Sequence, residues 1–278
     1  MKNCKLDSGL VINLHFTNAC NFRCKFCHSR FEKSNLSLQD WKKIIGNIMK
    51  GAKVKRFNLA GGEPLAAPYI QELIDHIHSV GVDCSLITNG YLLDSAFIRK
   101  NAGKVSMIGI SVDGVSRQED IAIGRADCHG NTLDKNRLID LADEIHAAGI
   151  TLKINTVVNA LNQHCDFSAL IGRLRPERWK ILRMICIKDV NDSQTDLQVS
   201  DAQFRAFVKR HIDFAPVVED SADIFHAYIV VDPEGRLVDN SSGAYRMSNP
   251  LATNPFDREF DRIGMDFDRY SKRYQSIA

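Results

Sequence analysis

Strand-like and helix-like patterns alternate along most of this chain, and this alternation constrains its fold more than any other feature. Helical patterns lie between the strands, and Ser37 with Asp40 begins one of them as a variant of the capping box. Strands that alternate with helices predict parallel βαβ units of roughly 30 residues each. Six apolar runs have strand character, at residues 11–16, 56–59, 84–88, 107–112, 151–158 and 180–187.

The number of units predicts an open barrel of the α/β class. A closed eight-unit barrel needs about 250 residues, whereas these units occupy residues 10–190. An open, partial (βα)6 barrel fits this length, and a doubly wound sheet is the alternative. In both architectures ligands bind beyond the carboxyl ends of the strands. We predict a core at residues 1–190 and a C-terminal α+β extension at residues 191–278 that covers the barrel mouth.

The composition excludes several classes of protein. The 278 residues include 36 basic and 34 acidic side chains, which give a formal net charge of +2, and 44% are hydrophobic. This balance is typical of a globular chain and indicates neither direct nucleic-acid binding nor attachment to an anionic membrane. No apolar run approaches the roughly 18 residues of a transmembrane helix, and the first residues lack the pattern of a secretory signal. We therefore expect a cytoplasmic protein.

Three of the eight cysteines are clustered. Cys20, Cys24 and Cys27 follow the first predicted strand with the spacing CxxxCxxC. Cytosolic thiols rarely form disulfides, and three thiolates on one loop can bind three irons of a [4Fe–4S] cluster, leaving the fourth iron open. A structural zinc site with His28 as fourth ligand is the alternative. The other cysteines are isolated and are predicted core residues: Cys4, Cys84, Cys128, Cys165 and Cys186.

A second motif, Gly61-Gly62-Glu63-Pro64, follows the second predicted strand. Together with the cysteine motif, in this order, it resembles the radical S-adenosylmethionine (SAM) superfamily. The resemblance implies a [4Fe–4S] cluster and SAM as cofactors, with the methionine group of SAM on the open iron. It also implies that Gly61, Gly62 and Glu63 receive the methionine ammonium. Glycine allows close backbone approach there, and the carboxylate supplies opposite charge.

The same resemblance assigns further SAM contacts. Phe26, beside the last clustered cysteine, would lie near the adenine. Asn89 and Ser111, near the ends of the third and fourth predicted strands, would bind the ribose and the carboxylate, and Arg125 would pair with the methionine carboxylate. From the residues alone, Asn89 and Gly90 equally suit a plain turn, and Arg125 suits a solvated surface position.

Basic residues repeat on two neighbouring predicted strands. Lys153 and Asn155 share one face of the fifth strand, and Arg178 and Lys180 share one face at the start of the sixth. The opposite faces are apolar and are expected to pack on helices, so the polar faces point into the barrel. Inward cations are costly without an anion, and these strands contain no acidic residue. We expect a polyanionic substrate such as a triphosphate; the alternative is that both lysines reach solvent at fraying strand ends.

These segments, with residues 13–17 and 123–125, resemble the viperin family of radical SAM nucleotide synthases, and its prokaryotic members most. The resemblance implies that Asn13 joins the basic residues in binding a ribonucleoside triphosphate and that Tyr228 is a catalytic hydrogen relay. It implies a lyase that forms a 3′-deoxy-3′,4′-didehydro nucleotide, a chain terminator in antiviral defence. A flavodoxin or ferredoxin would be its electron donor, and the enzyme would be a monomer.

Two departures from the viperin pattern leave the base open among CTP, UTP and GTP. Ala60 replaces a serine before the glycines, and residues 240–246 replace a lysine-rich stretch, where Arg246 is the remaining candidate for substrate binding. A peptide-modifying radical SAM enzyme is one alternative, which the lack of cysteine after Cys186 disfavours. A non-enzymatic iron–sulfur or zinc sensor is another, and it would leave Glu63 and Arg125 without a role.

Overall fold

One curled parallel sheet organises the molecule. The structure is a computed structural model that describes residues 6, 8–29, 31, 32, 34 and 36–275, with side chains through residue 274. Within these residues eight parallel strands form a half-barrel in the order β7-β6-β5-β4-β3-β2-β1-β8. The strands are β1 (Leu10–His15), β2 (Val54–Ala60), β3 (Asp83–Thr88), β4 (Met107–Ser111), β5 (Thr151–Val158), β6 (Arg178–Arg183), β7 (Val217–Glu219) and β8 (Ile229–Val231).

Helices connect the strands and cover the sheet. Ser37 caps the first helix, and its reciprocal hydrogen bonds with Asp40 confirm the predicted capping box. The apolar stripe of this helix is buried at Trp41, Ile44 and Ile48. The helices are α1 (Leu38–Gly51), α2 (Ile70–Ser79), α3 (Ser95–Asn101), α4 (Arg117–Ile123), α5 (Lys135–Ala147), α6 (Ser168–Leu174), α7 (Asp201–Arg210), α8 (Ser221–Ile224), α9 (Phe256–Phe260) and α10 (Phe267–Gln275).

The hydrophobic core lies between the sheet and the helices. It includes Ile12 of β1, Ile154 of β5 and Trp179 of β6, all buried, together with Trp41 of α1. Because side chains alternate along a strand, the neighbouring positions on β1, β5 and β6 face the inside of the half-barrel. Asn13, Lys153, Asn155 and Lys180 occupy such inner positions, which makes this part of the concave side a site for a ligand rather than a second core.

The sheet continues beyond residue 190. The C-terminal part contributes β7 and β8, which add two strands to the six predicted ones and form the two edges of the half-barrel. It also contributes a short antiparallel pair, β9 (Val238–Asp239) and β10 (Arg246–Met247). Helix α10 links the two sides of the opening: the Tyr270 hydroxyl accepts from the Val11 N–H at 2.5 Å, and Arg273 pairs with Glu219 of β7 at 2.6 Å.

The isolated cysteines have different environments. Cys84 and Cys165 are buried and Cys186 is half-buried, but Cys128 is exposed, so the core prediction is wrong for Cys128. That residue lies in a polar turn, where the Asp127 carboxylate accepts hydrogen bonds from neighbouring backbone N–H groups. Cys4 lies outside the described residues. Throughout the described ranges, no helix combines the length and the apolar character needed to cross a bilayer.

Candidate active site

The three clustered cysteines lie on one loop after β1, and all three are half-buried. The loop is hydrogen-bonded to the end of α4, because the Arg23 N–H donates to Gly124 O at 3.2 Å and the Lys25 N–H to Ile123 O at 2.9 Å. Gly124 has a φ of 88°, and a Cβ there would lie 2.4 Å from Arg23 O. Glycine therefore allows the close approach of the loop to α4.

The spread of the thiols suits a cluster better than a single ion. Tetrahedral zinc holds its sulfur ligands about 2.3 Å from the metal, so the sulfurs must lie within about 4 Å of one another. In the described part of the chain, the three sulfurs of the cysteine loop do not all lie within 4.8 Å of one another. Burial raises the pKa of the Cys24 thiol to about 12, and Arg125 opposes the shift.

The glycines of the second motif lie directly against the start of the cysteine loop. The Gly62 N–H donates to Thr17 O and the Glu63 N–H to Ala19 O, both at 2.7 Å. A Cβ on Gly62 would lie 2.2 Å from Ala19 O. No other residue fits at this position without displacing the backbone of the loop, so the motif fixes how the cysteines are presented.

Glu63 is fully buried and joins the ends of β2 and β3. Its carboxylate accepts hydrogen bonds from the Thr88 hydroxyl at 2.6 Å, the Asn89 N–H at 2.7 Å and the Leu65 N–H at 3.2 Å. Burial raises the pKa of this carboxyl, and the hydrogen bonds oppose the shift. A carboxylate has about four acceptor positions. Glu63 therefore organises the backbone that the sequence assigns to SAM and keeps at most about one acceptor position for a ligand.

Three residues assigned to SAM line one small cavity beside the cysteine loop. Asn89, Ser111 and Arg125 form its wall together with Phe22. The Asn89 amide also donates to the Asn21 side chain at 2.7 Å, which ties the end of β3 to the cysteine loop. The plain-turn interpretation of Asn89 is thus incomplete, because its side chain makes a tertiary contact.

Arg125 is buried, which rules out a solvated surface position. Its guanidinium pairs with Asp113 at 3.0 Å, donates to Ser111 O at 2.7 Å and lies 3.8 Å from the Cys24 sulfur. Burial raises the pKa of Asp113, and Arg125 opposes the shift. Asp113 is a partner that the sequence did not identify, although it directly follows the fourth predicted strand. A ligand carboxylate that binds Arg125 would therefore share the guanidinium with the Asp113 carboxylate.

The four inward polar residues of β5 and β6 lie side by side. The register places Lys153 beside Arg178 and Asn155 beside Lys180. Burial lowers the pKa of Lys153 well below its ordinary value, and the charges of Lys180 and Arg178 add to this effect. In the described part of the chain, no carboxylate lies within ion-pair distance of Lys153. The Asn155 side-chain oxygen Oδ1 and the Arg178 Nε atom are buried without hydrogen-bond partners.

Lys180 differs from Lys153 because it has an acidic partner. Its ammonium pairs with Glu219 of β7 and donates to the Tyr228 hydroxyl at 2.9 Å. Tyr228 donates in turn to Glu219 at 2.5 Å. The expectation that both lysines lack internal anions is wrong for Lys180, since the edge strand β7 brings a carboxylate to it. Burial lowers the pKa of Lys180 to about 8, and Glu219 opposes the shift.

Sequence motifs and geometry agree with the comparisons with known proteins. The family model described as the Radical SAM superfamily matches residues 14–162. The chain belongs to the radical SAM superfamily. Within it, the chain belongs to the family named S-adenosylmethionine-dependent nucleotide dehydratases, because it is 33% identical over 269 residues to the member from Selenomonas ruminantium. That match covers 95% of this chain and 98% of the relative.

A second relative is longer. The S-adenosylmethionine-dependent nucleotide dehydratase of Lacinutrix mariniflava is 32% identical over 272 residues, and this chain spans 57% of its length. Among solved structures, native anSMEcpe with bound AdoMet matches with a TM-score of 0.69 at 15% identity, over 95% of this chain and 82% of that one. This structural likeness shows the radical SAM fold alone.

Arg273 and Asn58 are residues of this radical SAM protein that sequence reasoning missed. The Arg273 guanidinium lies 3.8 Å above the Tyr228 ring and also pairs with Glu219. Asn58 of β2 donates to the Asn13 side-chain oxygen at 2.7 Å, and the Asn13 amide donates to Ile229 O at 3.0 Å. An inward polar residue three positions before the glycine motif was the available signal for Asn58. No local pattern marked Arg273.

The remaining predicted residues are Phe26 of the cysteine loop and Arg246 of the C-terminal part. Phe26 is buried against Ile123 and Met184. Arg246 is exposed on β10, and within the described residues its side chain makes no hydrogen bond or ion pair. Its neighbour Tyr245 instead reaches the cysteine loop, where its hydroxyl lies 3.0 Å from His28 Nδ1. The segment expected to carry a substrate cation therefore presents an aromatic side chain to the loop.

Proposed function

We propose that this radical SAM protein dehydrates a ribonucleoside triphosphate to its 3′-deoxy-3′,4′-didehydro analogue. The observation that carries the proposal is the pair Lys153 and Arg178, adjacent on the concave face and without a carboxylate partner for the lysine among the described residues. The name of the relatives, nucleotide dehydratase, supports a nucleotide as the substrate.

The cofactors would occupy the pocket at the carboxyl ends of β1 to β4. Cys20, Cys24 and Cys27 would hold the cluster, while Asn89, Ser111 and Arg125, which lie together beside the cysteine loop, would contact SAM. When bound, these groups supply a 5′-deoxyadenosyl radical. The tight backbone pairing of Gly62 and Glu63 with the loop would keep the SAM pocket in place relative to the cysteines.

The inner cations would bind the triphosphate. A bound anion stabilises the charged form of a buried ammonium with a lowered pKa, because it offsets the free energy of holding that charge away from water. Lys153 and Arg178 would bind the phosphates, and the unpaired side-chain oxygen Oδ1 of Asn155 would accept a hydrogen bond from the nucleotide. Anchoring the triphosphate there would turn the ribose toward the cofactor pocket, and such positioning is a large part of catalysis.

Tyr228 would act in the last step of the reaction. Removal of hydrogen from C4′ and departure of the 3′-hydroxyl as water require one further electron and one proton. The Tyr228 hydroxyl lies between Lys180 and Glu219, at 2.9 Å and 2.5 Å, so its proton has a fixed position and both neighbours can rebalance charge. We assign Tyr228 the relay of hydrogen, with Lys180 and Glu219 as its positioning residues.

The experiment is an anaerobic reaction of the reconstituted protein with reductant, SAM and each ribonucleoside triphosphate in turn. At least one triphosphate should stimulate formation of 5′-deoxyadenosine and yield a product lighter by one water. Lys153→Ala should remove the stimulation but leave slow cofactor cleavage, while Lys104→Ala, at a half-buried ion pair with Asp75 outside the site, should change neither. If no triphosphate stimulates cleavage, the proposed function is wrong.

The biological setting follows from the product chemistry. A nucleotide without a 3′-hydroxyl cannot be extended by a polymerase, so the product would terminate chains and serve antiviral defence.

We also infer a cytoplasmic monomer that receives electrons from a flavodoxin or ferredoxin. Replacing the chemical reductant by either protein with its reductase should sustain turnover. Size-exclusion chromatography with light scattering measures the oligomeric state.

A further inference from the structure

We propose that Glu119, His164 and Cys165 form a second metal site that takes a single zinc-class divalent ion. The three side chains offer a carboxylate oxygen, an imidazole nitrogen and a sulfur, and these atoms lie within 4.8 Å of one another. The Cys165 sulfur is 3.0 Å from Glu119 Oε1. Glu119 belongs to α4 and the other two residues to the loop after β5, so the site bridges two connections of the half-barrel.

The Glu119 carboxylate is already oriented for this role. Its Oε2 atom accepts the Val115 N–H at 2.7 Å and the Ser116 N–H at 2.9 Å, as part of the capping box of α4. The other oxygen, Oε1, is directed to Cys165. Metal ligands are typically held by such outer hydrogen bonds, which fix the ligand atom and leave its lone pairs for the ion.

The loop that carries His164 and Cys165 is fixed by its own hydrogen bonds. The Asn162 side chain accepts from the Asn159 N–H at 2.8 Å, and its amide donates to Asp113 O at 2.8 Å. The Arg210 guanidinium donates to Gln163 O and Cys165 O, both at 3.1 Å. The backbone on both sides of the two ligands is therefore anchored, which lowers the entropy lost when an ion orders them.

The donor set and the exposure indicate the kind of ion. Thiolate with imidazole favours zinc and related transition metals, whereas calcium and magnesium prefer oxygen ligands. Cys165 is buried and Glu119 half-buried, but His164 is exposed, so the ion would reach the site from solvent. Three protein ligands leave a fourth tetrahedral position for water. Binding would release the Cys165 thiol proton to the buffer.

The site is distinct from the cysteine loop but mechanically connected to it. Glu119 lies in the first turn of α4, and the end of the same helix is hydrogen-bonded to Arg23 and Lys25 of the loop. An ion that holds α4 to the loop after β5 would therefore stabilise the support of the cysteine loop without contacting it.

The test is a titration of the full chain with zinc against a chelating dye. It uses reconstituted protein and, in parallel, a variant with Cys20, Cys24 and Cys27 replaced by alanine. Both should bind one zinc ion per chain at this site, so the result does not depend on the proposed radical chemistry. His164→Ala and Cys165→Ser should each weaken binding by at least about tenfold. His164 is exposed, so its replacement does not threaten folding.

The chain contains a matched control in Cys128 and His129, an adjacent pair that is exposed and has no place in the Glu119 cluster. Cys128→Ser with His129→Ala should leave zinc binding unchanged. Cobalt in place of zinc should give thiolate-to-metal absorption that Cys165→Ser abolishes and Cys128→Ser keeps. The proposal is overturned if the chain binds no zinc in the triple alanine variant, or if His164→Ala and Cys165→Ser bind as tightly as the unmodified chain.

Discussion

At the scale of single residues, two lysines with the same sequence setting have different partners. Lys153 and Lys180 both face the inside of the half-barrel, but the ammonium of Lys180 is neutralised by Glu219 and that of Lys153 has no such partner among the described residues. A buried charge without an anion raises the free energy of the folded protein. Neutralising Lys153 should therefore contribute more binding free energy to an anionic ligand than neutralising Lys180.

This difference predicts proton uptake when a triphosphate binds. Burial depresses the pKa of Lys153 and sets that of Lys180 at about 8 in the free protein, and nearby phosphate charge raises both. Nucleotide binding should take up protons, and affinity should fall as the pH rises through about 8. Calorimetry in two buffers of different ionisation enthalpy measures the uptake. Lys153→Met should reduce it, whereas Lys104→Met should not; equal uptake in both variants would contradict the assignment.

Gly62 allows a second prediction. A Cβ at this position would lie 2.2 Å from Ala19 O, so Gly62→Ala must push the glycine motif away from the cysteine loop. Iron incorporated on reconstitution should fall severalfold. Gly46→Ala is the matched control, because nothing lies within 4 Å of a Cβ there, and alanine in mid-helix should stabilise α1 by up to about 1 kcal/mol. Unchanged iron content in Gly62→Ala would show that the contact is dispensable.

At the scale of elements, α10 completes the half-barrel. A sheet with two free edges leaves backbone N–H and C=O groups exposed between them. The helix supplies a hydroxyl to Val11 on one side and a guanidinium to Glu219 on the other. The same guanidinium donates to Asp223 O, which fixes the segment before β8. The C-terminal helix therefore belongs to the wall of the site.

Removing the Tyr270 hydroxyl tests this closure. The Val11 N–H lies in a buried residue, and its partner at 2.5 Å is lost in Tyr270→Phe. The free energy of unfolding should fall by about 1–3 kcal/mol, the cost of a buried donor without a partner. Urea denaturation measures it. Tyr91→Phe is the control, since the Tyr91 hydroxyl makes no hydrogen bond within the described residues; an equal effect of both substitutions would refute a special role for Tyr270.

At the scale of the whole molecule, one core joins the barrel to its C-terminal part. The cluster that contains Trp41 and Trp179 also contains Phe256 and Tyr270, which lie far beyond residue 190. The strands from both parts pair in one sheet, since β8 lies against β1. Residues from both sides of position 190 therefore contribute to one core.

The shared core predicts a single unfolding transition for the chain without cofactors. Trp41 on α1 and Trp179 on β6 are both buried and report on different parts of the core. Their fluorescence should change at the same urea concentration as the circular dichroism. Trp41→Phe isolates the signal of Trp179. Two separate midpoints would instead support independent units divided near residue 190.

The sequence by itself determined the features that depend on neighbours along the chain. Strand and helix periods predicted the parallel half-barrel, the spacing of Cys20, Cys24 and Cys27 placed three thiols on one loop, and alternation on β5 and β6 placed the basic residues on a common face. Each follows from backbone geometry over a few residues. The motif Gly61-Gly62-Glu63-Pro64 could also be located, because the close backbone contact it makes requires glycine, which is visible in the sequence.

Only the tertiary structure decided which distant side chains are in contact. Glu219 is 39 residues from Lys180, and Cys165 is 46 residues from Glu119. No period links such positions, because their contact depends on how the sheet curls and where the C-terminal segment returns. The burial that sets the pKa of Lys153 and the partner that neutralises Lys180 arise together from that curl, since enclosing a side chain both removes water and brings distant strands to it.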